Sequence, residues 1–152
     1  YVADWGNDRI VKFSADGHVQ ANFGSPGRDN GELNAPSSVC VDSDGYIYIA
    51  DWGNQRIQVF DSSGEFVQSN RGQGTISKWA QDFLDTNVEE GQARANANLE
   101  PEIEFNTDDL HEESAHIEKY FWGPTSLAMD KDNHLLVIDS NRHRLQVFDI
   151  QG

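Results

Sequence analysis

The 152-residue chain has a single cysteine, Cys40, so it can form no internal disulfide and no multi-cysteine metal site. Basic residues are scarce: 11 Lys and Arg stand against 26 Asp and Glu, a formal net charge of -15. A nucleic-acid binder neutralises phosphates with clustered Lys and Arg, and anionic membrane surfaces repel acidic proteins, so neither is an expected partner. No apolar run approaches the roughly 20 residues of a membrane-spanning helix. With only 4 Pro, and with 37% hydrophobic residues, the composition is that of a packed domain. No signal peptide is visible, and the chain opens with Tyr1 directly on strand-like sequence, so its natural N-terminus is expected to lie upstream.

What the chain does have is internal repetition. Tyr1-Val2-Ala3-Asp4-Trp5-Gly6-Asn7-Asp8-Arg9-Ile10 recurs 47 residues later as Tyr48-Ile49-Ala50-Asp51-Trp52-Gly53-Asn54-Gln55-Arg56-Ile57. A more diverged copy follows after a further 88 residues as Leu136-Val137-Ile138-Asp139-Ser140-Asn141-Arg142-His143-Arg144-Leu145. The offset of 88 also aligns Pro36-Ser37-Ser38-Val39-Cys40-Val41-Asp42 with Pro124-Thr125-Ser126-Leu127-Ala128-Met129-Asp130.

The middle copy reads as four short strands. Residues 39–41 form an apolar run before the turn signal Asp42-Ser43-Asp44-Gly45, and 46–50 are aromatic and β-branched. Asp51-Trp52-Gly53-Asn54 then turns the chain, Ile57, Val59 and Phe60 make a third strand, Asp61-Ser62-Ser63-Gly64 turns again, and 65–68 are a fourth strand. Such a meander, with strands a to d, is the unit of a propeller blade.

These residues resemble the NHL-repeat β-propeller family. Pro36, Asp42, Asp44-Gly45, Ala50-Asp51, Asn54, Arg56-Ile57 and Phe60-Asp61 fit its repeat pattern, as do Pro124, Asp130, Asp139, Asn141, Arg142-His143-Arg144 and Phe148-Asp149 in the third copy, where the Asn stands one place earlier. The resemblance implies an all-β partial propeller, six-bladed when complete, of four-stranded antiparallel blades with a small helical insertion. The chain then reads b-c-d, a-b-c-d, a-b-c, with blades over 1–71 and 122–152 and remaining blades supplied by a longer chain. An open stack of this kind leaves unpaired sheet edges.

Residues 72–121 break the pattern. Between 75 and 121 there are 12 acidic residues against Lys78, Arg94 and Lys119. Ser77 is placed to cap a helix with Trp79, Ala80, Phe83 and Leu84 at i, i+4 spacing, Thr86 with Glu89 suggests a capping box opening a second helix that ends near Pro101, and Asp109 with Glu112 suggests a third. Trp79 and Trp122 are expected in the core of this cap and its junction. The insertion links a d strand to the next a strand, so by the parity of an antiparallel meander it lies at the same end as the b–c turns. Loops on a rigid scaffold are where function concentrates.

Catalytic signals are weak. Asp42 to Gly45 looks like the start of a calcium loop but runs straight into a strand, which favours a hairpin turn. His111 and His116 are five apart, where a zinc helix needs four, and a solvated acidic helix start is the expected role. Cys40 reads as a small buried hydrophobe, and Ser37, Ser38, Thr125 and Ser126 have no local base. No catalytic residue, metal site or cofactor is expected.

The binding candidates are the b–c turns and their flanks: Trp5, Asn7, Arg9, Trp52, Asn54, Arg56, Asn141, Arg142 and Arg144. Turn geometry does not demand a Trp before Gly. Trp5 and Trp52 either recognise a ligand or pack against a neighbouring blade or under the cap. Each Arg either contacts a ligand or holds a turn carboxylate such as Asp4 or Asp51. The expected function is a non-catalytic scaffold that binds a protein or peptide on the b–c face. The alternative, implied by related six-bladed families, is a fragment of a metal-dependent lyase or lactone hydrolase with its centre in the channel.

Overall fold

The computed structural model describes residues 1–104 and 108–150; the part of the insertion at 105–107 and the last two residues of the third copy lie outside them. Among the described residues the chain is mostly β, in three antiparallel sheets with three α-helices. The first sheet holds β1 (Val2–Asp4), β2 (Arg9–Phe13) and β3 (Val19–Phe23). The middle sheet holds β4 (Pro36–Val41), β5 (Ile47–Asp51), β6 (Arg56–Phe60) and β7 (Phe66–Asn70) in that order. The third holds β8 (Pro124–Met129), β9 (His134–Asp139) and β10 (Arg144–Asp149).

Registers repeat with the sequence. Asp4 pairs with Arg9, Asp51 with Arg56 and Asp139 with Arg144, so each b–c connection begins and ends at the same rung. At the a–b turns the leading carboxylate folds the chain over itself: Asp42 Oδ1 accepts from the N–H groups of Asp44 and Tyr46, both at 2.9 Å. Asp130 Oδ1 accepts in the same way from Asp132 and His134, at 2.8 and 2.9 Å. The calcium-like run is thus a hairpin turn whose carboxylate serves its own backbone.

Packing explains why the middle sheet reads as nearly continuous apolar sequence: both of its faces are covered, the situation that suppresses polar alternation. Successive residues point to opposite faces. Ile47, Ile49 and Phe60 join Ile10 and Leu33 in a cluster against the first sheet. Tyr48, Ala50, Ile57 and Val59 join Leu127, Leu135, Val137 and Phe121 in a second cluster against the third sheet. Leu33 and Phe121, 88 residues apart, are both fully buried and plug the two interfaces at matching points. The a strands are also tied directly, since Ser37 Oγ donates to Pro124 O and Leu127 N–H donates to Ser38 Oγ, both at 3.0 Å.

The insertion forms α1 (Lys78–Thr86), α2 (Val88–Asn96) and α3 (Leu110–His116). Ser77 caps α1 and Asp109 caps α3. The Thr86–Glu89 capping box does not form. Asn87 takes the cap position without a side-chain bond, because the Thr86 hydroxyl donates backwards to Asp82 O and Phe83 O at 3.2 and 2.9 Å. Trp79 is not core: it is 80% exposed, since the tight α1–α2 hairpin partly covers Ala80 and Leu84 instead. Among the described residues, no helix is long and apolar enough to cross a membrane.

Candidate functional site: the b–c turns and their helical cover

Each b–c connection is a 3₁₀ turn, Trp5–Asn7, Trp52–Asn54 and Ser140–Arg142, followed by a residue in the left-handed region: Asp8 (φ 50°), Gln55 (φ 54°) and His143 (φ 51°). Non-glycine residues adopt this conformation at a cost, and only where their surroundings hold them there. The holding contacts are visible in two copies. Asp8 Oδ1 accepts from Ala35 N–H at 2.6 Å, and Gln55 Oε1 accepts from Gly123 N–H at 2.7 Å. Ala35 and Gly123, again 88 residues apart, open the next a strand and are themselves left-handed, at φ 48° and 86°. The turn of one sheet therefore hooks the backbone leading into the next.

The arginines serve the same turns. Arg56 Nε donates to Asp51 Oδ2 at 2.7 Å, and its Nη2 donates to the carbonyls of Asp29 and Glu32 at 2.9 Å. Arg144 repeats this with Asp139 Oδ2 at 2.8 Å, Glu118 O at 2.8 Å and Tyr120 O at 2.7 Å. Arg9 Nε donates to Asp4 Oδ2 at 2.8 Å but its side chain is 42% exposed. Hydrogen bonds from Asn7 first and Arg9 second hold the Asp4 carboxyl below the usual range. Asn54 is 1% exposed and donates to Asp51 Oδ2 and Gly27 O, each at 2.9 Å, whereas Asn7 and Asn141 are exposed.

The two tryptophans, identical in sequence context, sit in different surroundings. Trp5 is 61% exposed. Trp52 is half-buried under α3, with the His111 ring edge-on at 4.6 Å between centroids. His111 Nε2 also lies 3.0 Å from Gln55 Nε2. His111 is therefore a docking residue, not a solvated helix start.

Further contacts clamp α3. Arg142 Nη2 donates to the carbonyls of Ser114 (2.6 Å), Ala115 (3.2 Å) and Ile117 (2.9 Å) at the end of α3, where the helix dipole is negative. Burial, with the neighbouring Arg144 charge behind it, presses the Arg142 guanidinium below its ordinary value. Arg71 Nη1 donates to Glu113 Oε2 at 2.6 Å and stands 4.3 Å over the Tyr120 ring. Trp122 is half-buried, with the Arg142 guanidinium 5.7 Å from its ring. Arg28 Nη1 reaches Asp108 O at 2.6 Å from the link between the first two sheets. Cys40 is partly buried in β4, where burial and nearby Asp42 push its thiol up to about 11.

The structure thus brings together Trp52, Gln55, Arg142 and α3 as a covered half of the b–c end, and leaves Trp5, Asn7 and Arg9 as an open half. His111, Gln55 and Arg71 were not evident as site residues, since their partners lie 42 to 56 residues away.

Three sheets of one pattern, stacked face to face and hooked turn to strand, define a blade-repeat β protein. The NHL-repeat family model matches residues 33–60 and 121–148, so the chain carries two NHL repeats. The first sheet shares the geometry of the two matched copies. No curated protein matches the chain.

Proposed function

We propose that the chain is a section of a closed, six-bladed NHL-type propeller that binds a protein or peptide on its b–c face without catalysing a reaction, with 72–121 as an insertion that roofs part of that face. NHL repeats commonly build such interaction scaffolds, which supports the class of partner. The outward faces of the end sheets support continuation of the stack. Val2 and Phe13, 50% and 40% exposed, occupy the places of Ile49 and Phe60 in the repeat, which are 0% and 2% exposed. Ile138, Leu145 and Val147, at 44%, 51% and 57%, stand where Ala50, Ile57 and Val59 are buried.

One observation carries the binding role: the repeat places a tryptophan on two equivalent turns, and the fold covers Trp52 but leaves Trp5 61% exposed beside Arg9 and Asn7. A large aromatic ringed by hydrogen-bonding groups is the composition of a binding hot spot. The Arg9 side chain is 42% exposed, against 10% for Arg56. Asn54, Arg56 and Arg144 support the face from within.

The test is selection of peptides from a random library on the full-length protein, followed by affinity measurement on variants. Trp5→Ala should weaken face-directed peptides by at least about tenfold. Trp52→Ala should act mainly on stability, through loss of the α3 contact. Equal affinity for wild type and Trp5→Ala across all selected peptides refutes the assignment.

A further inference from the structure

A second surface lies on the helical insertion, along α1. α1 is capped at both ends. Ser77 Oγ accepts from Ala80 N–H at 3.2 Å at its start. At its end Phe83 O accepts from the Thr86 hydroxyl at 2.9 Å, the Asn87 side-chain amide at 2.8 Å and Asn87 N–H at 3.0 Å. Behind it α2 approaches so closely that a Cβ added to Gly91 would stand 2.9 Å from Leu84 O.

Despite this order, no residue of α1 or α2 is buried. Trp79 is 80% exposed and Phe83 50% exposed, and their spacing of four places them one turn apart on the same side of the helix. Two nine-residue helices are each shorter than an isolated helix needs in water, so an apolar side left in solvent is a stability deficit that a cover would remove.

Charge decides the cover. Asp82 and Asp85 flank the aromatic pair on α1, and Glu89 and Glu90 open α2. Of the three basic residues between 75 and 121, Arg94 is held bidentate by Glu118 at 2.9 Å and Lys119 is paired with Glu100 at 2.5 Å, which sets Lys78 at the start of α1 against these four carboxylates. This field repels anionic lipid, nucleic acid and a second copy of a chain that carries a net charge of -15. It attracts a positively charged rim.

We propose that α1 is a docking helix that places Trp79 and Phe83 in an apolar groove of another protein edged by Lys and Arg. This is helix-in-groove recognition, in which residues on one helix side act as anchors. The caps at both ends of α1 fix its shape beforehand and so lower the ordering cost of binding. The proposal is independent of the b–c face, and Trp5→Ala leaves it untouched.

The experiment uses the full-length protein in the cells that make it, carrying the photo-crosslinking residue p-benzoylphenylalanine at position 83, with the exposed position 92 of α2 as control. The expected result is adducts specific to position 83 whose sequenced partner segment is apolar with Lys or Arg alongside. Binding of that purified partner should fall about a hundredfold in Trp79→Ala/Phe83→Ala, and should weaken as salt rises from about 0.05 to 0.5 M. The double variant should keep its circular dichroism, since neither side chain is buried. Adducts no stronger than the control, adducts to lipid, to a second copy or to an acidic segment, or partner binding unchanged in the double variant each overturn the proposal.

Discussion

Replacing Asp51 with alanine removes an acceptor that four donors share: Asn34 N–H at 2.7 Å, the Asn54 amide at 2.9 Å, Arg56 Nε at 2.7 Å and the Gln58 amide at 3.0 Å. The Asp51 side chain is 0% exposed and that of Arg56 only 10%, so the guanidinium left behind cannot find enough water to replace the carboxylate. Orphaning one partner of a buried pair costs about 3–5 kcal/mol, and three further donors that each lose a bond place Asp51→Ala at the upper end of that range. Asp139→Ala belongs near the lower end. Its carboxylate accepts from Trp122 N–H at 2.7 Å and Arg144 at 2.8 Å, with Gln146 only at 3.5 Å, and Arg144 is 18% exposed. Asp4→Ala should barely move stability, because its two partners, Asn7 and Arg9, are open to solvent. Urea unfolding followed by tryptophan fluorescence ranks the three by their midpoints, provided the slopes agree. Asp51→Ala/Arg56→Ala should unfold at higher urea than Asp51→Ala alone, since it removes the stranded charge. The reasoning fails if Asp4→Ala lowers the midpoint as far as Asp51→Ala does, or if the double variant is no better than the single one.

Other positions give independent checks. Hydrogen bonding to Asp130 raises the His134 pKa, and bonds from His134 backbone and ring hold Asp130 at about 2. The raised His contributes below its unfolded value of about 6.5 and fades as pH rises through its folded value. The lowered Asp contributes above about 4 and fades as pH falls towards about 2, so the pair acts most between about pH 4 and 6.5. A proton NMR titration of the His134 ring should give a pKa above about 6.5 that drops in Asp130→Asn; an identical value in both would be decisive against the pairing. Ala35→Gly should stabilise by about 0.5–1 kcal/mol by relieving a left-handed alanine, while Gly123→Ala should destabilise by about 2 kcal/mol, both read from thermal midpoints. The second change also sets a Cβ 2.9 Å from Ser140 Oγ. Arg142→Ala should speed amide exchange across 110–117 while leaving the β4–β7 amides protected; unchanged exchange would show that α3 does not depend on this clamp.

Much of the fold could be read along the chain because the repeat carries it. The alignment of Pro36 with Pro124 and of Asp51 with Asp4 and Asp139 located the strands, and the Asp-led turns located the hairpins. Helix starts at Ser77 and Asp109 followed from local cap chemistry. Thr86 misled because its hydroxyl had a nearer use, closing α1. Trp79 misled for a different reason: spacing of four reveals which residues share a helix side, but nothing local says whether that side meets protein or water. Trp5 and Trp52 are the sharpest case. Their sequence contexts are the same, and only α3, reached through contacts spanning more than fifty residues, makes one a packed side chain and leaves the other bare.

Gln55 ends up with obligations in three directions. It closes its own turn by donating to Trp52 O, holds Gly123 at the entrance of the following sheet, and meets His111 of α3. Its counterpart Asp8 accepts from Ala35 with a shorter, acidic side chain. Duplicated modules that began alike have therefore become individually addressed: moving either one into the other's slot would present the wrong reach and charge to its successor. Permuting modules within such a series would break these hooks.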